Sequence, residues 1–169
     1  MEFKMAFLTY ILGPFPVGIW AVLVMLLLSG GVFTIFAQGL SLLNWEAALS
    51  MHLQEDSRTS VDPVEKTIGA MSQGEAGADV IVQGTLVVLS FVGIFLRHPI
   101  GWVAGLAQGV LWIYVTFMVL FQRWMFFRWG VVTDLSRFKQ VAPVMVLAAG
   151  LPGVVMIVCL VANRDYFGV

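Results

Sequence analysis

Arg97 and His98 stand side by side between two long runs with no charged side chain. Residues 80–96 form the first run, of 17, and residues 99–122 the second, of 24. A helix rises about 1.5 Å per residue, so ~20 residues cross a ~30 Å hydrocarbon core. The pair of runs predicts two membrane-crossing helices joined by a tight polar corner, Leu96-Arg97-His98-Pro99. Pro99 suits the first turn of the second helix, where its missing N–H would have no partner in any case. His98, the residue before a proline, is biased out of helical geometry. The corner is therefore specified by local chemistry.

The rest of the chain is read around this hairpin. Of its 169 residues 60% are hydrophobic and 11% charged, against about 25% charged in a soluble domain. The mean hydropathy is +0.93. A soluble fold is excluded, and a net charge of −1 gives no sign of a nucleic-acid partner. Cys159, the one cysteine, allows neither an intramolecular disulfide nor a cysteine metal site.

Residues 5–45 carry no Asp, Glu, Lys, Arg or His. The run is too long for one upright helix, and Gly13-Pro14-Phe15-Pro16 breaks it. Residues 1–12 are read as an interfacial segment and residues 17–38 as the first crossing, with Gly30-Gly31 a place for a kink or a neighbour. The apolar run far exceeds the core of a signal peptide, so it is read as a retained helix. Residues 40–78 are the long polar stretch, holding Glu46, Glu55, Asp56, Asp62, Glu65 and Glu75 against Arg58 and Lys66. They are read as a polar loop capping the bundle, with a short helix after Trp45 and a helix start at Pro63. Further crossings are placed at 79–96, 100–122 and 140–163. The expected fold is an all-α, multi-pass integral membrane protein: one membrane domain, a four-transmembrane-helix bundle with a long polar loop between helices 1 and 2. Six of the nine Lys and Arg lie in the first and third loops, which the positive-inside rule assigns to the cytoplasmic face.

Candidate functional residues are sparse. Gly101, Gly105 and Gly109, spaced by four, share one helix face. In lipid, small residues let helices approach closely, so that face should carry helix packing, or a gap for a ligand or a partner's helix. Arg123, Trp124, Arg128 and Trp129 have the pattern of interfacial anchors, ring at the headgroups and charge in water, or of a site for a lipid headgroup or acidic partner. In the last crossing Gly150-Leu151-Pro152-Gly153 marks a packing kink or a pocket wall at depth. Chemistry inside a membrane normally shows as ionisable groups at depth, and the four crossings hold almost none. Glu75 and Asp79, four apart, form a potential carboxylate pair, or two solvated acids at a helix start. His52 and His98 belong to loops on opposite faces, which disfavours a shared metal. A pigment ligated by His98 alone stands against a solvated corner histidine. Gln108, Trp112 and Tyr114 are candidates to line an apolar pocket with a polar end, a binding signature without an acid or base, and Asp79 is the fourth candidate ligand-binding residue.

Three short motifs resemble the emopamil-binding and sigma-2-receptor family (the EXPERA domain). They are Phe95-Leu96-Arg97-His98-Pro99 at the corner, Ile113-Tyr114 beyond it, and Leu151-Pro152-Gly153-Val154 in the last crossing. The resemblance implies a bundle of four or five helices with a sterol-like ligand inside. It also implies, for isomerase members, acidic and histidine side chains in the helices and a tryptophan before the Leu-Pro-Gly motif. This chain has no His or Glu in the first crossing, has Asp79 only near an acidic position, and has Ala148 where the tryptophan would stand.

Two functions follow as expectations. The first is a non-catalytic accessory or scaffolding subunit of a larger membrane complex, for example an energy-converting one, with membrane lipids and other membrane-protein subunits as partners. The second is an EXPERA-like binder of a sterol or other apolar ligand, or a sterol-isomerase-like enzyme. No cofactor or metal is expected beyond a bound lipid or sterol and the His98 pigment. A transporter or channel is the weakest reading, for want of a charged pathway or paired broken helices.

Overall fold

A computed structural model describes residues 15–51, 53–54, 61–131 and 136–169, with the side chains of 136 and 137 excepted. The segment 1–12, His52, Glu55, Asp56 and Arg58 lie outside the described residues. Among the described residues four helices are long and apolar enough to cross a membrane: α1 Val17–Leu43, α3 Pro63–Phe95, α4 Pro99–Arg128 and α5 Phe138–Ala162. A short helix, α2 Trp45–Ser50, follows α1. No strand occurs among the described residues. At most 39% of any span's apolar window is buried, so most of each helix surface is left for lipid.

The structure differs from the sequence reading in the stretch 40–78. Much of it is helix rather than loop: α1 runs to Leu43, α2 takes Trp45–Ser50, and α3 starts at Pro63. The start at Pro63 has a local cause. Asp62, in extended geometry, accepts a hydrogen bond from the Val64 N–H, and Pro63 fills the first position. Nothing then stops the helix, because no further proline occurs before Pro99. The 16 residues Pro63–Ala78 add ~24 Å of polar helix to the charge-free run. Ala76 is buried, and Gly77 faces Leu42 of α1. α2 begins at Asn44, whose Oδ1 accepts from the Ala47 N–H at 3.1 Å. The turn beyond α2 is tied back to α1 by Gln54 Nε2, which donates to Ser41 Oγ at 3.0 Å.

The four long helices pack up-and-down in a ring, α1–α3–α4–α5, and the contact of α5 with α1 closes it. α1 and α4 are diagonal. The core between them holds Ile19, Val22, Leu26, Val87, Ile94, Trp112, Met156 and Leu160. The hairpin corner is as tight as the sequence implies. His98 is extended (φ −98°, ψ 141°), and its Nδ1 accepts from the Ile100 N–H at 3.2 Å. Arg97 takes φ +51° and lays its guanidinium 5.3 Å from the centre of the Tyr166 ring. Tyr166 belongs to the turn Arg164–Phe167 that tucks under this end of the bundle. Its hydroxyl donates to the Ile94 carbonyl at 2.9 Å.

Three helices contain a stretch wound wider than an α-helix: Leu26–Ala37, Asp79–Gln83 and Val146–Gly150. In α1 the Thr34 hydroxyl donates to the Ser29 carbonyl five residues back, at 3.1 Å. The widening in α5 precedes Pro152, which lacks the N–H that would bond back into it. Thr116 of α4 crosses to this place, its hydroxyl 3.3 Å from the Met145 carbonyl.

Candidate functional site: a cavity at one end of the bundle

The charge-free runs end at similar heights. Asp79 precedes one in α3, Arg123 follows one in α4, and Gln140 stands near the start of α5. Because neighbouring helices run antiparallel, these three residues meet at the same end. They line a cavity of about 680 Å³ between α3, α4 and α5. One wall carries Glu75, Asp79 and Gln83 from α3. Facing them are Leu111, Tyr114, Val115 and Met118 of α4, with Val141 and Val144 of α5. The lining mixes polar and apolar groups along its length: Ile68, Met71 and Phe126 lie outward of Asp79 and Arg123, and Leu111, Val115 and Met118 lie deeper.

The structure separates the four residues expected to share a ligand site. Asp79 and Tyr114 line the cavity; Gln108 and Trp112 do not. Gln108 is 0% exposed and Trp112 2%, both turned to the bundle's centre. Tyr114, two residues from Trp112, points the other way and is 60% exposed. One helical step of about 100° per residue accounts for the difference. Gln83, not among the expected site residues, joins the two groups. Its Nε2 donates to Asp79 Oδ1, and its Oε1 accepts from Gln108 Nε2 at 3.0 Å. The i, i+4 spacing of Asp79 and Gln83 in the sequence was the available signal for this bond.

The expected glycine face is used inside the chain. Gly101 lies against Gly93 and Gly105 against Ser90 of α3 and Leu160 of α5. Gly109 meets Gly153 and Ile157 of α5. The Ser90 hydroxyl donates to the Gly101 carbonyl at 3.2 Å. Gly150, Pro152 and Gly153 do not line the cavity; the two glycines receive α4 side chains and backbone instead.

Arg123 is half-buried at the cavity rim, whereas Arg128 is exposed. Trp124 and Trp129 are 44% and 76% exposed at the same end, as interfacial anchors would be. Glu75 and Asp79 share the cavity wall, one turn apart. His98 sits at the opposite end with Nδ1 occupied by its own helix cap. No group of three or more His, Cys, Asp or Glu that could hold a metal occurs among the described residues. Comparisons with protein-family models, curated proteins and solved structures return no match to this chain.

Proposed function

We propose that this protein is a non-catalytic membrane protein that binds an amphiphilic small molecule or lipid in the cavity between α3, α4 and α5. The observation that carries this reading is the mixed lining of that cavity. Glu75, Asp79 and Arg123 share its wall with Leu111, Val115, Met118 and Val144. A ~30 Å apolar layer stabilises a ligand whose tail is buried and whose head stays level with the rim. The resemblance to the emopamil-binding family points the same way. Asp79 and Tyr114 contact the ligand in this reading, while Gln108 and Trp112 shape the wall from behind.

The accessory-subunit reading rests on the scarcity of ionisable groups at depth, on the glycine face and on the tryptophan-rich surface. Gly101, Gly105 and Gly109 are all covered by α3 and α5, which leaves that reading with less to rest on.

The test is gentle purification from native membranes, followed by mass spectrometry of the extracted small molecules. Binding predicts one amphiphile enriched well above its share of bulk lipid. It predicts loss of that enrichment in Val115→Trp, where the larger ring fills the cavity. Bulk lipid composition in both proteins would overturn the proposal. Recovery in a defined larger assembly, with bulk lipids alone, would favour the accessory subunit.

A further inference from the structure

The row Asp79, Gln83, Gln108, Trp112 and Thr34 crosses the bundle from the cavity to α1. Gln83, Gln108, Trp112 and Thr34 are all at most 6% exposed, so their donors and acceptors must satisfy one another. The two ends of an amide have the same shape, so each glutamine allows two hydrogen-bond polarities.

In one polarity Asp79 is a carboxylate. It accepts from Gln83 Nε2, and Gln83 Oε1 accepts from Gln108 Nε2 at 3.0 Å. The Trp112 indole N–H then reaches Thr34 Oγ1 of α1 at 3.4 Å. This polarity leaves two like pairs facing each other. The indole N–H stands 2.7 Å from the Gln108 –NH2, and Gln108 Oε1 stands 3.1 Å from the Gln83 backbone carbonyl.

Turning the Gln108 amide over converts both pairs into hydrogen bonds. It also puts the Gln108 oxygen 3.0 Å from Gln83 Oε1, so the Gln83 amide must turn as well and present its –NH2. The Gln83 oxygen then faces Asp79 Oδ1. Two oxygens can bond there only if one carries a proton. Every contact named here is satisfied once, with a protonated Asp79.

We propose that this row is a protonation switch: a proton taken up by Asp79 from the open side of the cavity reverses both amides and transfers the Trp112 N–H bond from Thr34 on α1 to Gln108 on α4. Each amide exchanges its O and N, and in the ionised state Trp112 Nε1 and the Gln108 –NH2, 2.7 Å apart as they stand, must draw apart. In the ionised state the row ends on α1 and ties the diagonal pair α1 and α4 together. In the protonated state it ends within α4, and that tie is released. The groups that share the cavity with Asp79 are Glu75 on its own helix, Tyr114 and Arg123 from α4, Gln140 from α5, Gln38 from α1 and Gln54 beyond α2. Of these, Glu75 and Arg123 are the acidic and basic side chains.

The probe is the proton itself. The Trp112 indole ¹H–¹⁵N resonance, assigned by its loss in Trp112→Phe, is followed against pH in nanodiscs alongside the carboxylic C=O infrared band lost in Asp79→Asn. The switch predicts that both signals move with one midpoint. In Asp79→Asn nothing at the end of the row titrates, so the indole should hold one position across the pH range. Gln83→Met cuts the row while keeping its length, so the C=O band should still titrate and the indole should no longer follow. An indole resonance that ignores pH in the native protein would overturn the proposal. So would one that titrates unchanged in Asp79→Asn. Should Asp79→Asn fail to fold, Gln83→Met decides the question: an indole that still follows the C=O band would refute the row.

Discussion

Gly109 of α4 and Gly153 of α5 lie backbone to backbone. A methyl group on Gly153 would stand 2.6 Å from the Gly109 carbonyl oxygen, and one on Gly109 would stand 3.0 Å from the Gly153 carbonyl oxygen. Neither obstacle is a side chain that could turn away. Gly153→Ala must push the helices apart, and it should lower the stability of the bundle by about 1–3 kcal/mol, as overpacking does. Gly74→Ala is the opposite case. Nothing lies within 4 Å of that position, and alanine in a helix is favoured by roughly 0.5–1 kcal/mol over glycine. Thermal unfolding of both variants in one detergent should move the midpoints in opposite directions.

At the other end, Tyr166 satisfies the Ile94 carbonyl at the close of α3. Tyr166→Phe removes that bond and keeps the ring edge-on to Phe167 and tilted against Phe15. The expected loss is about 0.5–1.5 kcal/mol. Tyr166→Leu also removes the surface beneath the Arg97 guanidinium and should lose more, by about 0.5–1 kcal/mol. Equal losses in the two variants would show that the Arg97 contact contributes nothing.

The bond between Gln83 and Gln108 should appear as coupling. Gln108→Leu leaves Gln83 with an unpaired oxygen in the bundle's centre and should cost about 1–3 kcal/mol. Gln83→Leu does the same in reverse. The double variant should lose less than the two singles together, by roughly 0.5–3 kcal/mol. Strict additivity would mean that the two amides do not interact.

The positive-inside rule gives a topology that labelling can test. Val61 is 95% exposed between α2 and α3, and Trp129 76% exposed beyond α4. With Cys159 replaced by serine, cysteines at 61 and 129 should react with a membrane-impermeant reagent from the cytoplasmic side. A cysteine at Val169 should react from the opposite side. Positions 61 and 129 on opposite sides of the membrane would break the four-crossing arrangement.

Much of this fold is written locally. Charge-free runs, the corner at Arg97-His98-Pro99 and the start at Asp62-Pro63 depend on hydropathy, on proline's missing N–H and on caps within a few residues. All of these operate before any helix meets another. The extent of α3 was less legible. Residues 63–78 have the polar composition of a loop, and a loop and a solvated helix differ little in composition. Their helicity comes from the Asp62 cap, from the absence of a later breaker, and from Ala76 and Gly77 packing beside α1.

The candidate site was half legible. Asp79 and Tyr114 could be named from the sequence, but their separation from Gln108 and Trp112 could not. The sequence by itself determined that four helices are long and apolar enough to span a membrane and where polar groups fall along each, because length and hydropathy are properties of a single helix. Only the tertiary structure decided which faces meet: that Gly109 is spent on Gly153, that Gln83 bridges Asp79 to Gln108, and that a cavity remains between α3, α4 and α5. Lipid supplies no hydrophobic force to choose among helix faces. The choice falls to close packing and to the pairing of a few buried amides and hydroxyls, and these are fixed between residues far apart in the chain.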